Sequence, residues 1–146
     1  MVRKTHHGRP GTRVIPDDWG ERHAPAASQA HTATCEIRGP DVLGAFDPVT
    51  GAYDVEPGPL RYSGGCRVQR VNRQALYGTV SDQQLPAADY LVSIDRSATT
   101  VTINDIVKIT ASEDAQLTGQ SFPVVDVIVG SMRVTRDLLC SDDLTV

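Results

Sequence analysis

From residue 31 onward, apolar and polar side chains alternate with a period of two. In His31–Arg38, Ala33, Cys35 and Ile37 share one face, while Thr32, Thr34, Glu36 and Arg38 share the other. That spacing predicts a half-buried strand. Cys66–Val71 opens the same way, and Ala88–Asp95 sets Tyr90, Val92 and Ile94 together. Val107, Ile109 and Ala111 alternate with Lys108 and Thr110. Phe122–Val129 is almost continuously apolar, which predicts a strand covered on both faces. Met132–Arg136 returns to alternation after a turn at Gly130-Ser131, Ala75–Val80 is a weaker strand, and Thr99–Ile103 reads as one arm of a hairpin turning at Asn104-Asp105. No long window carries a 3.6-residue apolar stripe. The pattern predicts an all-β domain, a small antiparallel barrel of six to seven strands, because closure removes edges that would pair with other chains.

Two stretches interrupt this period. Residues 1–30 have neither periodicity and are punctuated by Pro10-Gly11, Pro16 and Pro25, so they read as an extended N-terminal arm with at most a turn of helix near Ala24–Gln29. Val14, Ile15 and Trp19 lie within it, and an aromatic ring of that size is costly to leave in water, so the arm is expected to dock on its own domain or on a neighbour. Residues 39–65 read as a long loop between the first two strands, marked by Gly39-Pro40, Asp47-Pro48, Thr50-Gly51, Glu56-Pro57-Gly58-Pro59 and Ser63-Gly64-Gly65. A connection of that length in a compact domain is usually functional. The chain therefore divides into an arm, 1–30, and a barrel domain, 31–146.

Composition narrows the function without naming it. The chain has 146 residues, 40% of them hydrophobic, enough for one cored domain. No apolar run suffices for a membrane helix, so no membrane partner is expected, and the basic start Met1–His7 lacks the apolar stretch of a secretory signal. Cys35, Cys66 and Cys140 are widely spread without a CxxC pair and read as reduced thiols. A net charge of −4 disfavours a whole-molecule grip on nucleic acid. That charge is blocked along the chain. Asp41, Asp47, Asp54 and Glu56 crowd the long loop, whereas Arg61, Arg67, Arg70 and Arg73 follow with no acid among them. Complementary patches of this kind set register between docked neighbours.

Tests for chemistry return no residue set. His31 and Cys35 are four apart but on a strand, where that spacing does not bring ligands together. Asp47–Glu56 does not place carboxylates on the alternate positions of a calcium loop. Ser63-Gly64-Gly65 is not a nucleophile elbow, Cys66 falls on an apolar face, and no glycine-rich loop precedes a helix. Neither catalysis nor a cofactor is expected. Arg61, Tyr62, Arg67, Arg70, Arg73 and Tyr77 could supply the cations and rings of a nucleic-acid groove. An arginine-rich edge facing a protein neighbour is the simpler reading, since arginine is enriched at such interfaces.

The order of these segments resembles a known family. A Trp-bearing arm, the strand His31–Arg38 and a long Gly/Pro loop are followed by Gly65-Cys66-Arg67-Val68-Gln69, Tyr90-Leu91-Val92-Ser93-Ile94, Asn104-Asp105-Ile106-Val107-Lys108-Ile109 and Val124-Val125-Asp126-Val127, ending in Arg133-Val134-Thr135-Arg136. This layout resembles the head-to-tail stopper, or head-closure, proteins of tailed bacteriophages infecting actinobacteria. Twelve arginines against two lysines suit a GC-rich coding genome. The resemblance implies a structural virion protein of the phage neck, assembled in the host cytoplasm as a homo-oligomeric ring of six or twelve copies. Its partners would be the portal and adaptor proteins above and the tail terminator below, with double-stranded DNA passing through without sequence-specific binding. On that reading Val14, Ile15, Trp19, Arg61, Arg67, Arg70 and Arg73 make subunit or partner contacts, and the acids Asp41, Asp47, Asp54 and Glu56 belong to a channel loop that repels DNA. Alternatives are another connector subunit, a tail terminator or an adaptor, and a single-domain β-barrel binding nucleic acid or a peptide.

Overall fold

The computed structural model describes residues 15–71, 89–131 and 133–142. Val14, Arg73 and the Ala75–Val80 segment lie outside them. Among the described residues, α1 (Trp19–Ser28) precedes β1 (Ala33–Arg38), β2 (Val42–Asp47), β3 (Ala52–Glu56), β4 (Leu60–Arg70), β5 (Tyr90–Asp95), β6 (Ile106–Ala111), β7 (Ser121–Ile128) and β8 (Thr135–Cys140). Six strands close an antiparallel barrel in the order β1-β4-β5-β8-β7-β6, and β2 and β3 form a separate hairpin.

Alternation builds the wall. In β1, Ala33, Cys35 and Ile37 are buried, while in β6 Val107 and Ile109 are buried around exposed Lys108. Val92, Ile94, Phe122, Val124, Leu138 and Cys140 complete an interior in which each is no more than 2% exposed. Tyr90 caps it, its ring 4.4 Å from that of Phe122. The closing seam is the β1–β6 ladder, which pairs Cys35 with Ile109 and Ile37 with Val107. Register shifts in β1 against both neighbours and in β7 against β8 bend the strands enough to close so small a ring.

Several sequence expectations are corrected. The arm is not extended over residues 19–28, where Asp18 precedes a helix whose first turn holds Glu21 and whose Arg22 Nε donates to Asp18 Oδ2 at 2.6 Å. Helix-favouring Ala24, Ala26 and Ala27 outweigh Pro25 there, and the helix packs lightly on β5 and β8 with no residue buried. The connection 39–65 is not a loop. It holds the β2–β3 hairpin and the first half of β4, whose eleven residues reach from Leu60 to Arg70. β7 is covered on one face, with Phe122 and Val124 inside and Val129 beyond its end 75% exposed. The last strand lies at Thr135–Cys140, four residues beyond the predicted end, since Leu138 and Cys140 are what the interior needs. Thr99–Ile103 forms no strand, although a turn does occur there, with Asn104 at φ 72°.

That turn buries an acid. Asp105 is fully enclosed, its Oδ2 accepting the Thr102 N–H at 2.8 Å and lying 3.7 Å from Arg61 Nε. Arg61 Nε is itself buried without a hydrogen bond, so its tie to Asp105 is electrostatic. Inside the barrel, the Cys35 thiol shares a hydrogen bond with Cys66 and is pushed upward by it and by burial. Burial raises Cys140 to about 12. Outside it, His31 is held below its ordinary value by burial, against the pull of Asp95 and Asp137, and its Nε2 has no partner. The Asp95 carboxyl is lowered by the Ser97 hydroxyl and N–H, both of which donate to it.

Asp105→Ala is expected to cost about 2–3 kcal/mol in chemical denaturation, since it strands the Thr102 N–H and the Arg61 cation, and Asp105→Asn to recover part of that loss. All three thiols should resist a disulfide reagent at pH 8 in the native protein and react together once denaturant unfolds it. His31 and Asp95 both bind protons more readily when unfolded, so stability falls as pH drops below about 6.5. His31→Gln should flatten the upper part of that decline, read as urea midpoints between pH 7 and pH 5.

Candidate functional site

The β2–β3 hairpin leaves the barrel between β1 and β4 and rejoins none of its strands. Its base is pinched where Gly39 N–H donates to the Pro59 carbonyl at 2.9 Å. A side chain at Gly58 would collide with the carbonyl oxygens of Gly39 and Pro40, so this crossing requires glycine. At the tip, Asp47 Oδ1 accepts the Val49 N–H at 2.8 Å and Oδ2 the Thr50 hydroxyl at 2.9 Å. These bonds hold the Asp47 carboxyl below the usual carboxylate range. Gly51, at φ 70°, completes the turn.

The strand register sorts the hairpin into two unlike faces. Leu43 pairs with Val55 and Phe46 with Tyr53, and a register shift between Leu43 and Phe46 keeps all four on one side. The two rings stand 5.1 Å apart. Nothing covers them: Leu43 is 68% exposed, Phe46 54%, Tyr53 56% and Val55 60%. The opposite face carries Val42, Asp54 and Glu56, with Asp47 and Ala52 nearer the tip. Asp41 stands exposed just before β2. An isolated two-stranded hairpin is marginal in water. This one keeps its apolar face exposed, and contiguous apolar patches of this kind commonly mark interaction surfaces.

The other predicted contact residues do not converge. Arg61 is turned onto Asp105, its side chain 35% exposed. Arg67 and Arg70 are exposed farther along β4, and nine residues of strand put Arg61 and Arg70 roughly 30 Å apart. Arg70 borders a shallow cavity shared with Tyr90 and Leu117. Ile15 is 44% exposed. Trp19 is half-buried and stacks on His23 with centroids 4.4 Å apart, outside the barrel interior. Of the four predicted loop acids, Asp54 and Glu56 share a face, Asp47 serves its own turn and Asp41 lies at the hairpin base.

A cleft missed at the sequence level lies beside α1. It holds about 340 Å³ between Asp17 and Gly20 on one side and Arg96, Arg133 and Arg136 on the other, with Ile128 and Val129 along its wall. Arg133 Nη1 donates to Asp137 at 2.6 Å. Arg96 and Arg136 form no ion pair among the described residues, and Arg136 Nε is buried without an acceptor. No sequence signal joins these arginines, because only the long-range β5–β8 and β7–β8 pairings make the ends of β5, β7 and β8 adjacent. The aromatic hairpin did leave a signal, the alternation Tyr53-Asp54-Val55-Glu56. Among the described residues no group of three or more His, Cys, Asp or Glu is arranged to hold a metal ion, and no helix is long and apolar enough to cross a membrane.

No curated protein matches the chain. The solution structure of protein SF1141 from Shigella flexneri 2a is similar, with a TM-score of 0.53 at 14% identity over 78% of this chain and 94% of that one. At that identity the likeness speaks for the fold alone. Residues 23–141, which take in α1 from its fifth residue and all the strands, match the model of a family of unknown function, DUF6093, and the chain belongs to that family.

Proposed function

We propose that this chain is a ring-forming structural subunit of the neck of a tailed bacteriophage, a head-to-tail stopper that closes the DNA channel below the portal and adaptor and carries the tail. The observation that carries this reading is the β2–β3 hairpin, an element with four uncovered apolar side chains on a barrel whose strands are all paired. A closed barrel offers no sheet edge to a partner, so association depends on what projects from it. A ring needs two different complementary surfaces on every subunit. A projecting hairpin supplies one, and its barrel wall can supply the other.

In this reading the strands of the hairpin pack against neighbouring subunits while its tip, Asp47–Gly51, reaches toward the channel. The tip keeps its shape through the bonds Asp47 accepts, and its negative charge repels the DNA that passes it. The pinch at Gly39 and Gly58 is where the hairpin can swing between closed and open gates, because only links 39–41 and 57–59 tie it to the barrel.

The test is assembly. Phe46→Ser with Tyr53→Ser removes exposed rings, so the unfolding free energy should change by no more than about 0.5 kcal/mol. The same variant should fail to join a portal–adaptor complex in sedimentation and electron microscopy, whereas the wild-type chain adds a ring. A wild-type chain that never joins such a complex overturns the reading.

A further inference from the structure

Two charged features lack an ion-pair partner among the described residues, and they belong to different arcs of the barrel wall. The hairpin rises between β1 and β4. The arginine cleft lies at the ends of β5, β7 and β8. In the closed order β1-β4-β5-β8-β7-β6, the hairpin departs between β1 and β4 and the cleft spans β5, β8 and β7, so the two features share no wall strand.

We infer that Asp54 and Glu56 of one copy enter the arginine cleft of the next and pair there with Arg96 and Arg136. This pairing rests on the ring reading above and names the contact that would join its subunits. Asp54 and Glu56 are exposed, form no ion pair among the described residues, and stand two positions apart on one strand face, so their stems are about 7 Å apart. On the receiving side, Arg136 of β8 pairs with Ile94, and Arg96 follows the end of β5 two residues farther on, so the two arginines are also separated by two strand positions. Both arginines line the cleft, and a carboxylate is the acceptor a guanidinium binds best.

Apolar contact accompanies the charges. Val42 pairs with Glu56 on the acidic face and is 55% exposed, and the cleft wall offers Val129, 75% exposed. Asp17 already occupies one side of the cleft and Asp137 engages Arg133, so Arg96 and Arg136 are the cations left for an incoming acid. Duplex DNA is the poorer occupant, because the chain as a whole carries a net charge of −4. A second copy brings the matching acids in equal number. The contact is heterologous, hairpin to cleft, so it repeats around a ring and leaves the apolar face of the hairpin for a further neighbour.

Two charge-reversed chains test the pairing by sedimentation equilibrium. D54R/E56R keeps the cleft and loses the acids, and R96E/R136E keeps the acids and loses the cleft. R96E alone is run in parallel, because Arg136 is partly buried and its reversal can unsettle the barrel. Wild-type chains should associate with rising concentration, less so at high salt, and each variant alone should weaken this about tenfold or more. An equimolar mixture of the two variants should assemble again, since the intact hairpin meets the intact cleft and the reversed hairpin meets the reversed cleft. A mixture that stays monomeric while the wild type assembles overturns the pairing and leaves the ring reading standing, as does a variant that assembles like the wild type. A wild-type chain that remains monomeric both alone and with a portal–adaptor complex overturns both.

Discussion

The constraint on which the molecule depends is the ladder between β1 and β6. It joins the first wall strand to the fourth in chain order and so turns a sheet with two edges into a ring with none. That closure creates the interior in which Ile37, Val107, Ile109 and Phe122 lose contact with water. It also excludes. Once every wall strand has two neighbours, the β2–β3 pair has no edge to join, and its apolar face is left outside. The same ladder that stabilises the barrel thus produces the uncovered surface from which function is argued.

Polar features divide along the same line. Asp105 with Arg61 and the Thr102 N–H belongs to the barrel: the enclosed carboxylate accepts the Thr102 N–H, lies beside the Arg61 cation and holds the turn before β6. Asp54, Glu56, Arg96 and Arg136 are opposite in charge and form no ion pair with one another. Helix α1 stands between the two categories, since it rests on β5 and β8, buries nothing, and borders the arginine cleft through Gly20. Its Trp19 stacks on its own His23, which meets the need of a large ring for cover without drawing on the core.

A ring of such subunits would be held by contacts of two kinds. Apolar ones, from Leu43, Phe46, Tyr53 and Val55, would add contact area to that of the barrel wall. Charged ones fix which flank meets which, because a wrong register opposes like charges. On the proposed ring reading neither kind would require the subunit to change its barrel.

The wall of the barrel was legible before any coordinates. A half-buried strand must alternate, and Ala33-Cys35-Ile37, Val92-Ile94 and Val107-Ile109 all do so, which is why an antiparallel barrel could be read directly. The hairpin was harder, because Gly39-Pro40, Pro48 and Pro57-Gly58-Pro59 look like loop punctuation and a strand pair with no buried face shows no core residues to the eye. Trp19–Ser28 was misread for a similar reason: a helix that buries nothing needs no apolar stripe. The sequence marks Asn104-Asp105 only as a turn, and the burial of Asp105 follows from what folds over it. Alternation, then, is a local property and the chain itself sets it. Which strand closes the ring, which hairpin is left outside and which arginines meet beside α1 are matters of long-range pairing, decided only when residues far apart in the chain come to share one wall.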